Sequence, residues 1–443
     1  MIRKHSFRGV MAGFATSALA LAVSAQAFAG TVSTDGADLV IKTKGGLEVA
    51  TTDKEFSFKL GGKLQWDATN FDGLMAGRQA DPFDDTFNTF IRRGEIGLEG
   101  VSYKDWGWGV RLSYDGYEGG TDVDRAYITY TGLDFADVTV GRFGVDYGLE
   151  NTTSSSWITA IERPFMYDFL NGDEDASFGV NVMHTGDNYG LMAQVANYDK
   201  KETDGNDELF GYTLRANWAP YLNGTDVIHL GANYHSNNPD DNGSSVRTRM
   251  GIRSDDDARI AFGSTAKTDK DVEWVLEAGA QFGSFRAAAE YFQRQVSGEN
   301  AGGADADVDA SGYYGQVSYM IGGARGYKAG AGKWDKPTDM KGTFEVFARY
   351  ESSTIDADPA AVPGQLMSGI VGVVAQNANS DFTADAVVVG VNYFATPSVR
   401  MSLNYVDYQV DNINTNSNVV KSGQNYKVED DGKAIVGRLQ YVF

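Results

Sequence analysis

The sequence predicts an all-β chain: a transmembrane antiparallel β-barrel of about sixteen strands, with long loops folded into its lumen. Three observations predict it. Apolar and polar residues alternate with period 2 from the fifties to the last residue, the spacing that sends neighbours to opposite faces of a strand. A secretory leader opens the chain, yet no later stretch reaches the roughly 18 consecutive apolar residues of a spanning helix. A closed barrel is the other way to cross a bilayer, because every backbone N–H and C=O must be satisfied within the protein. Finally, the last segment places Ile435, Gly437, Leu439, Tyr441 and Phe443 on one face and Val436, Arg438, Gln440 and Val442 on the other. A lipid-facing strand with an aromatic toward each interface has this form; an edge strand of a soluble sandwich is the alternative for that segment alone.

The elements follow in order. Residues 1–29 read as a cleaved signal peptide: Arg3, Lys4 and Arg8, an apolar run from Val10 to Val23, then Ala27-Phe28-Ala29. The run is too short and wrongly flanked for a membrane anchor. Residues 30–54 form a polar periplasmic lead-in with Lys42, Lys44, Lys54 and a Gly45-Gly46 turn. The barrel occupies 55–443. Its candidate strands are 55–68, 86–101, 106–115, 122–132, 136–142, 177–184, 189–198, 209–219, 225–236, 272–283, 285–297, 310–321, 342–352, 382–395, 398–410 and 433–443. A tilted membrane strand needs about 9–11 residues, and an even count near sixteen encloses an aqueous channel. Short connections such as Gly283-Ser284 and Thr396-Pro397 suit periplasmic turns. Long ones, 70–85, 143–176, 237–271, 298–309 and 353–380, suit extracellular loops or segments folded into the lumen.

Composition removes other classes. The chain of 443 residues carries a formal charge of −22, and losing the three basic leader residues makes it −25. Such a surface does not suit nucleic acid. With no cysteine there is no disulfide scaffold, thiol nucleophile or zinc ribbon. Aromatic content of 12% is too high for a disordered acidic chain. Beyond the leader the histidines are His184, His229 and His235, with no H-E-x-x-H, nucleophile elbow or P-loop. The sequence therefore points to no enzyme, cofactor or metal.

Against this acidic background, clustered arginine is informative. Arg247, Arg249 and Arg253 share one face of an extended segment, and Val246, Thr248, Met250 and Ile252 share the other. Arg247 and Arg249 would sit roughly 6–7 Å apart, with Arg253 about 13 Å further on. Guanidinium groups in a row bind oxyanions through planar forks and let an ion hop between weak sites. A solvated basic face on a surface loop gives the same pattern. Arg92-Arg93 poses a problem, since adjacent residues of a regular strand point oppositely. If Arg93 and Glu95 face a pore, Arg92 faces lipid, at a cost of about 2–4 kcal/mol near the mid-plane. Either a bulge at Gly94 turns both inward or the pair lies near an interface. The run Asn151 to Arg163 offers consecutive hydroxyls and one arginine to an oxyanion, or is an ordinary polar loop.

These blocks resemble the phosphate- and polyphosphate-selective porins of the O/P family. The likeness starts at Gly30-Thr31-Val32 and Ile41-Lys42-Thr43-Lys44-Gly45-Gly46. It continues through Phe90-Ile91-Arg92-Arg93, Lys104-Asp105-Trp106, Gly141-Arg142-Phe143 and Thr153-Ser154-Ser155. It ends with Arg249-Met250-Gly251-Ile252-Arg253 and Leu439-Gln440-Tyr441-Val442-Phe443. The resemblance implies a homotrimer of sixteen-stranded barrels in a Gram-negative outer membrane, among lipid and lipopolysaccharide, passing phosphate and polyphosphate. It implies an arginine ladder of Arg247, Arg249 and Arg253. It implies a constriction of Arg92, Arg93, Ser154, Ser155 and Arg163, with Lys63 in place of a family arginine and Asp124 beside it. Lys42, Lys44, Lys54 and Lys59 resemble a periplasmic lysine cluster. The sequence departs from the phosphate-selective pattern at Asn151, Ser245, Glu95 and Gly144, partly offset by Arg125. The expectation is a wider, less anion-selective channel. A general or weakly cation-preferring diffusion pore, or a non-conducting structural barrel, are the competing functions.

Overall fold

The computed structural model describes residues 39–43, 46–73, 86–116, 120–171, 178–197, 210–238, 243–253, 260–361, 381–412, 418–421, 424–427 and 430–443. The leader and Lys44 lie outside them. In chain order the strands are β1 (Leu39–Lys42), β2 (Leu47–Thr51), β3 (Ser57–Phe71), β4 (Thr86–Ser102), β5 (Trp106–Asp115), β6 (Gly120–Leu133), β7 (Ala136–Arg142) and β8 (Phe178–Thr185). Next come β9 (Tyr189–Asn197), β10 (Phe210–Asn223), β11 (Asp226–Asn238), β12 (Ser245–Thr248), β13 (Ile260–Ser264), β14 (Lys267–Phe282), β15 (Phe285–Glu299) and β16 (Val308–Ile321). The last are β17 (Arg325–Lys328), β18 (Lys333–Pro337), β19 (Thr343–Ala357), β20 (Asp381–Phe394), β21 (Val399–Asp411), β22 (Asn418–Lys421), β23 (Gln424–Lys427) and β24 (Asp431–Val442).

Sixteen of these, β3–β11, β14–β16, β19–β21 and β24, pair antiparallel in sequence order. β24 returns to β3, from Ala434 opposite Phe71 to Val442 opposite Lys63, and closes the ring. Each coincides with an anticipated strand, with ends shifted by a few residues. Below the seam, Phe443 exchanges backbone hydrogen bonds with Gly62. There β2 takes over as the partner of β3 and β1 pairs with β2. The lead-in thus extends the sheet at the short-turn end.

Alternation decides which face meets lipid. On β24, Ile435, Leu439 and Tyr441 are exposed while Val436, Arg438 and Gln440 are buried toward the lumen. Outward aromatics form two levels: Phe285, Tyr319 and Phe344 near the short turns, and Tyr291, Tyr313 and Tyr350 six residues along the same three strands. At about 3.4 Å per residue the levels stand roughly 20 Å apart along the strands, or roughly 15 Å in height at a barrel tilt of about 40°, within the apolar band of about 25 Å. The wall is uneven in height. β7, β8 and β9 have 7, 8 and 9 residues, against 16, 15 and 15 in β14, β15 and β19.

Among the described residues, three segments enter the lumen. Residues 143–171 carry a helical turn, Leu149–Thr152, and a 3-10 turn, Phe165–Phe169. Their Leu149, Ile161, Phe165 and Phe169 are buried inside the barrel, and Phe169 meets Phe262 and Phe292 at 5.9 Å each. The β12–β13 hairpin packs beside this loop. Both were foreseen as long connections. The β17–β18 hairpin was not. It rises from the short-turn end, where Arg215 and Asn217 donate to its carbonyls at Ala331, Gly332 and Ala329. Its strands are four and five residues long, too short to show a period.

Candidate constriction and vestibule

The loop is held by the wall. Glu290 accepts from the Leu149 and Glu150 amides at 2.7 and 3.1 Å and from the Tyr167 and Tyr314 hydroxyls at 2.8 Å. Tyr167 can reach it because Gly148 has φ +76 and no side chain; a Cβ there would run into the phenol oxygen. Arginines of the wall, joined by Arg325 of the β17–β18 hairpin, point at the loop's carbonyls. Arg400 donates to Ile158 and Thr159 at 2.8 Å each, Arg438 to Ile161 at 2.6 Å, Arg325 to Trp157 at 2.7 Å, and Arg294 to Phe169 at 2.6 Å. Charge-assisted bonds of this kind are stronger than neutral ones and satisfy a buried backbone that no sheet pairs.

Across the lumen, two bulges place adjacent charges together. Between β3 and β4 the register runs from Gln65 opposite Arg93 to Trp66 opposite Ile91, so Arg92 is the extra residue. Both arginines therefore turn inward while Ile91 stays on the lipid side, 36% exposed. The bulge is at Arg92 rather than Gly94, which keeps its regular partner Leu64. Between β5 and β6, Arg111 faces Arg125 and Leu112 faces Val123, leaving Asp124 as the extra residue. Asp124 and Arg125 both enter the lumen by the same device.

The result is a chain of alternating charge. Lys63 donates to Ser155 Oγ at 2.6 Å and pairs with Glu95 at 2.8 Å. Glu95 also faces Arg111 at 3.6 Å, Arg111 faces Asp124 at 3.5 Å, and Asp124 faces Arg125 at 3.5 Å. Asp124 is thus separated from Lys63 by Glu95 and Arg111. Arg125 lies against Gly144, where a Cβ would strike its guanidinium. Arg93 donates to Gln65 at 3.0 Å.

A second hub is Glu162, on the loop. Arg92 Nε reaches it at 3.0 Å, Arg438 Nη2 at 2.6 Å and Arg253 Nε at 3.7 Å. Burial by itself would raise the Glu162 carboxyl, but Arg92, Arg438, Arg93 and Arg253 together hold it well below the usual carboxylate range. The three arginines read as a ladder do not share one extended face. β12 ends at Thr248, and Met250 and Gly251 adopt φ of 53 and 71, closing a turn in which the Ile252 amide meets the Arg249 carbonyl. Arg249 faces Asp168 at 3.8 Å and Arg253 faces Glu162, while Arg247 is half-buried on β12. Arg163 donates to the carbonyls of Glu150, Asn151 and Thr153 at 3.1–3.2 Å, which ties the loop to itself. Ser154 is exposed and Ser155 buried.

Beneath the loop lies a vestibule of about 970 Å³. Among the described residues, seven basic ones line it: Lys59, Lys63, Arg111, Arg125, Lys328, Lys336 and Lys341. Four acids oppose them: Glu95, Glu99, Asp335 and Asp339. Among the anticipated lysines that the structure describes, Lys59 and Lys63 line it. Lys42 is turned onto Glu48 at 2.7 Å, and Lys54 occupies the exposed β2–β3 turn. Sequence reasoning missed Arg111, Glu162 and the lysines of the β17–β18 hairpin. Arg111 could have been found, since it alternates with outward Val110 and Leu112. Nothing local marks the hairpin lysines.

A closed sixteen-stranded barrel with an apolar outer belt and a charged loop across its lumen defines an outer-membrane porin. Residues 58–443 match the family model described as phosphate-selective porin O and P. Porin O of Pseudomonas aeruginosa is 39% identical over 473 aligned positions, covering 100% of both chains. An anion-selective porin from Comamonas acidovorans shares the fold at TM-score 0.51 with 14% identity, over 88% of this chain and 100% of that one. The trimer form of OmpT of Vibrio cholerae does so at 0.51 with 12% identity, over 88% and 99%. The chain belongs to the family of phosphate-selective porins O and P, and its place is the outer membrane of a Gram-negative bacterium.

Proposed function

We propose that this chain is a passive, anion-preferring channel for phosphate, pyrophosphate, polyphosphate or related oxyanions, and that it catalyses no reaction. One observation carries the reading: in a chain of charge −22, the vestibule gathers, among the described residues, seven basic side chains against four acids. A permeating ion responds to that local field rather than to distant loops screened by salt. Lysine ammonium and arginine guanidinium groups replace part of its hydration, and their several weak sites release it again. Glu95, shared between Lys63 and Arg111, moderates the preference. Arg93 and Arg253 supply the approach from the long-loop side, backed by buried Arg92 and Arg249, with Glu162, Asp115 and Asp168 as counter-charges.

A mature chain freed of residues 1–29 and assembled as a homotrimer among lipid and lipopolysaccharide completes the proposal. The low wall of β7–β9 is the face suited to neighbours. It supports the trimer reading, as does the trimer form of the Vibrio protein. Reversal potential across a salt gradient in a planar bilayer, with phosphate added, tests the function. Anion-side reversal and block by phosphate are expected. The opposite sign would favour a general diffusion pore, and zero conductance a structural barrel.

A further inference from the structure

The vestibule holds more than charge. Tyr127 on β6 is flanked on both neighbouring strands by glycine, Gly109 on β5 and Gly141 on β7. With no side chain opposite, its ring lies across Gly109: a Cβ there would sit 2.6–2.7 Å from the ring atoms. One face rests on the barrel wall and the residue lines the vestibule. Trp157 lines the same space from the loop above. Its backbone is fixed at both ends, the amide donating to the Ser154 carbonyl at 2.7 Å and the carbonyl accepting from Arg325 at 2.7 Å. The Tyr127 ring and the side chain of Trp157, whose backbone is fixed, therefore share a chamber with exposed Lys328, Lys336 and Lys341.

A bare phosphate ion has no use for an aromatic face. We propose that the vestibule binds phosphate monoesters carrying an aromatic ring, up to nucleotide size, with the ring against Tyr127 or Trp157 and the phosphate among the lysines. This deepens the anion reading and rests on it. The volume of about 970 Å³ lies at the upper end of small-molecule sites. Aromatic stacking adds attraction that an alkyl ester of equal charge cannot gain.

The test compares phenyl phosphate with methyl phosphate as blockers of chloride current through the full-length channel, with inorganic phosphate as reference. The expected result is half-block by phenyl phosphate at a concentration about tenfold or more below that of methyl phosphate. In Tyr127→Leu and Trp157→Leu channels the ratio should fall toward one. Equal block by the two esters in the unmodified channel overturns the proposal while inorganic phosphate still blocks. So does a ratio that survives both substitutions. If inorganic phosphate fails to block and cations carry the current, the anion reading falls and this one with it.

Discussion

The two sides of the lumen use the same residue types to opposite ends. On the tall side, Arg286 and Arg325 converge on Glu345, and Arg400 joins it through Asn392. These groups are sealed under the loop, with Arg325 and Glu345 side chains each 1% exposed. On the β3–β6 side, Lys63, Glu95, Arg111, Asp124 and Arg125 pair in sequence along a wall that opens away from the loop, from Lys63 at 10% exposed beside Ser155 to Arg111 at 34% and Arg125 at 36%. Coverage, not chemistry, separates them. Where the loop lies over arginines, they are consumed as donors to its carbonyls. Where it stands off, they face the ion path. Counting arginines along the strands would therefore overstate the charge an anion meets.

The largest effect should come from the covered side. Glu345→Ala leaves Arg325 and Arg286 buried without their acid, and breaking such a pair costs about 3–5 kcal/mol. Thermal unfolding in detergent should show a marked loss, and single-channel current should become noisy as the loop loosens. Unaltered melting would mean the buried pairs do not hold the loop.

Glu95→Gln should sharpen the open side instead. It frees both Lys63 and Arg111, and a unit charge about 4 Å away is worth roughly 4 kcal/mol at an effective dielectric near 20 before exposure reduces it. Half-block by phosphate should move to a concentration at least about tenfold lower, with a smaller loss of melting temperature than for Glu345→Ala, since Lys63 is nearly buried but Arg111 is open to water. Unchanged block would show that Glu95 does not temper the site.

Replacing Arg247, Arg249 and Arg253 together by glutamine should lower anion conductance by about two- to fivefold, since Arg249 and Arg253 already face Asp168 and Glu162 and pairing limits what each offers an ion. Retained conductance and reversal potential would assign that cluster to packing. The smallest effect is expected for Lys59→Gln. Lys59 pairs loosely with Glu99 at 3.5 Å and is 44% exposed. Any fall in conductance should appear at low salt and vanish near 1 M, where the screening length is about 3 Å. An equal effect at both ionic strengths would place Lys59 at a constriction.

Much of the barrel was legible because its signal is local. Alternation in Met401, Leu403 and Tyr405 against Arg400, Ser402 and Asn404 follows from strand geometry alone. Arg92-Arg93 shows where legibility stops. The pair announces a conflict in its own strand, but which residue is extra depends on the partner register of β3. The sequence left two solutions open, a bulge at Gly94, the residue most permissive of one, or a place near an interface. Asp124-Arg125 raised no such alarm, and its bulge became visible only beside β5.

By itself, then, the sequence determined the strand count, the lipid and lumen faces, and the family, since each rests on short-range periodicity or ordered motifs. Tertiary structure alone decided which charges are spent and which are presented. Glu162 meets Arg438 across 276 positions of chain, and Arg325 meets the Trp157 carbonyl across 168. No local pattern encodes such pairings. They follow from the closure of the ring, which brings the loop, the β17–β18 hairpin and the wall within hydrogen-bond reach.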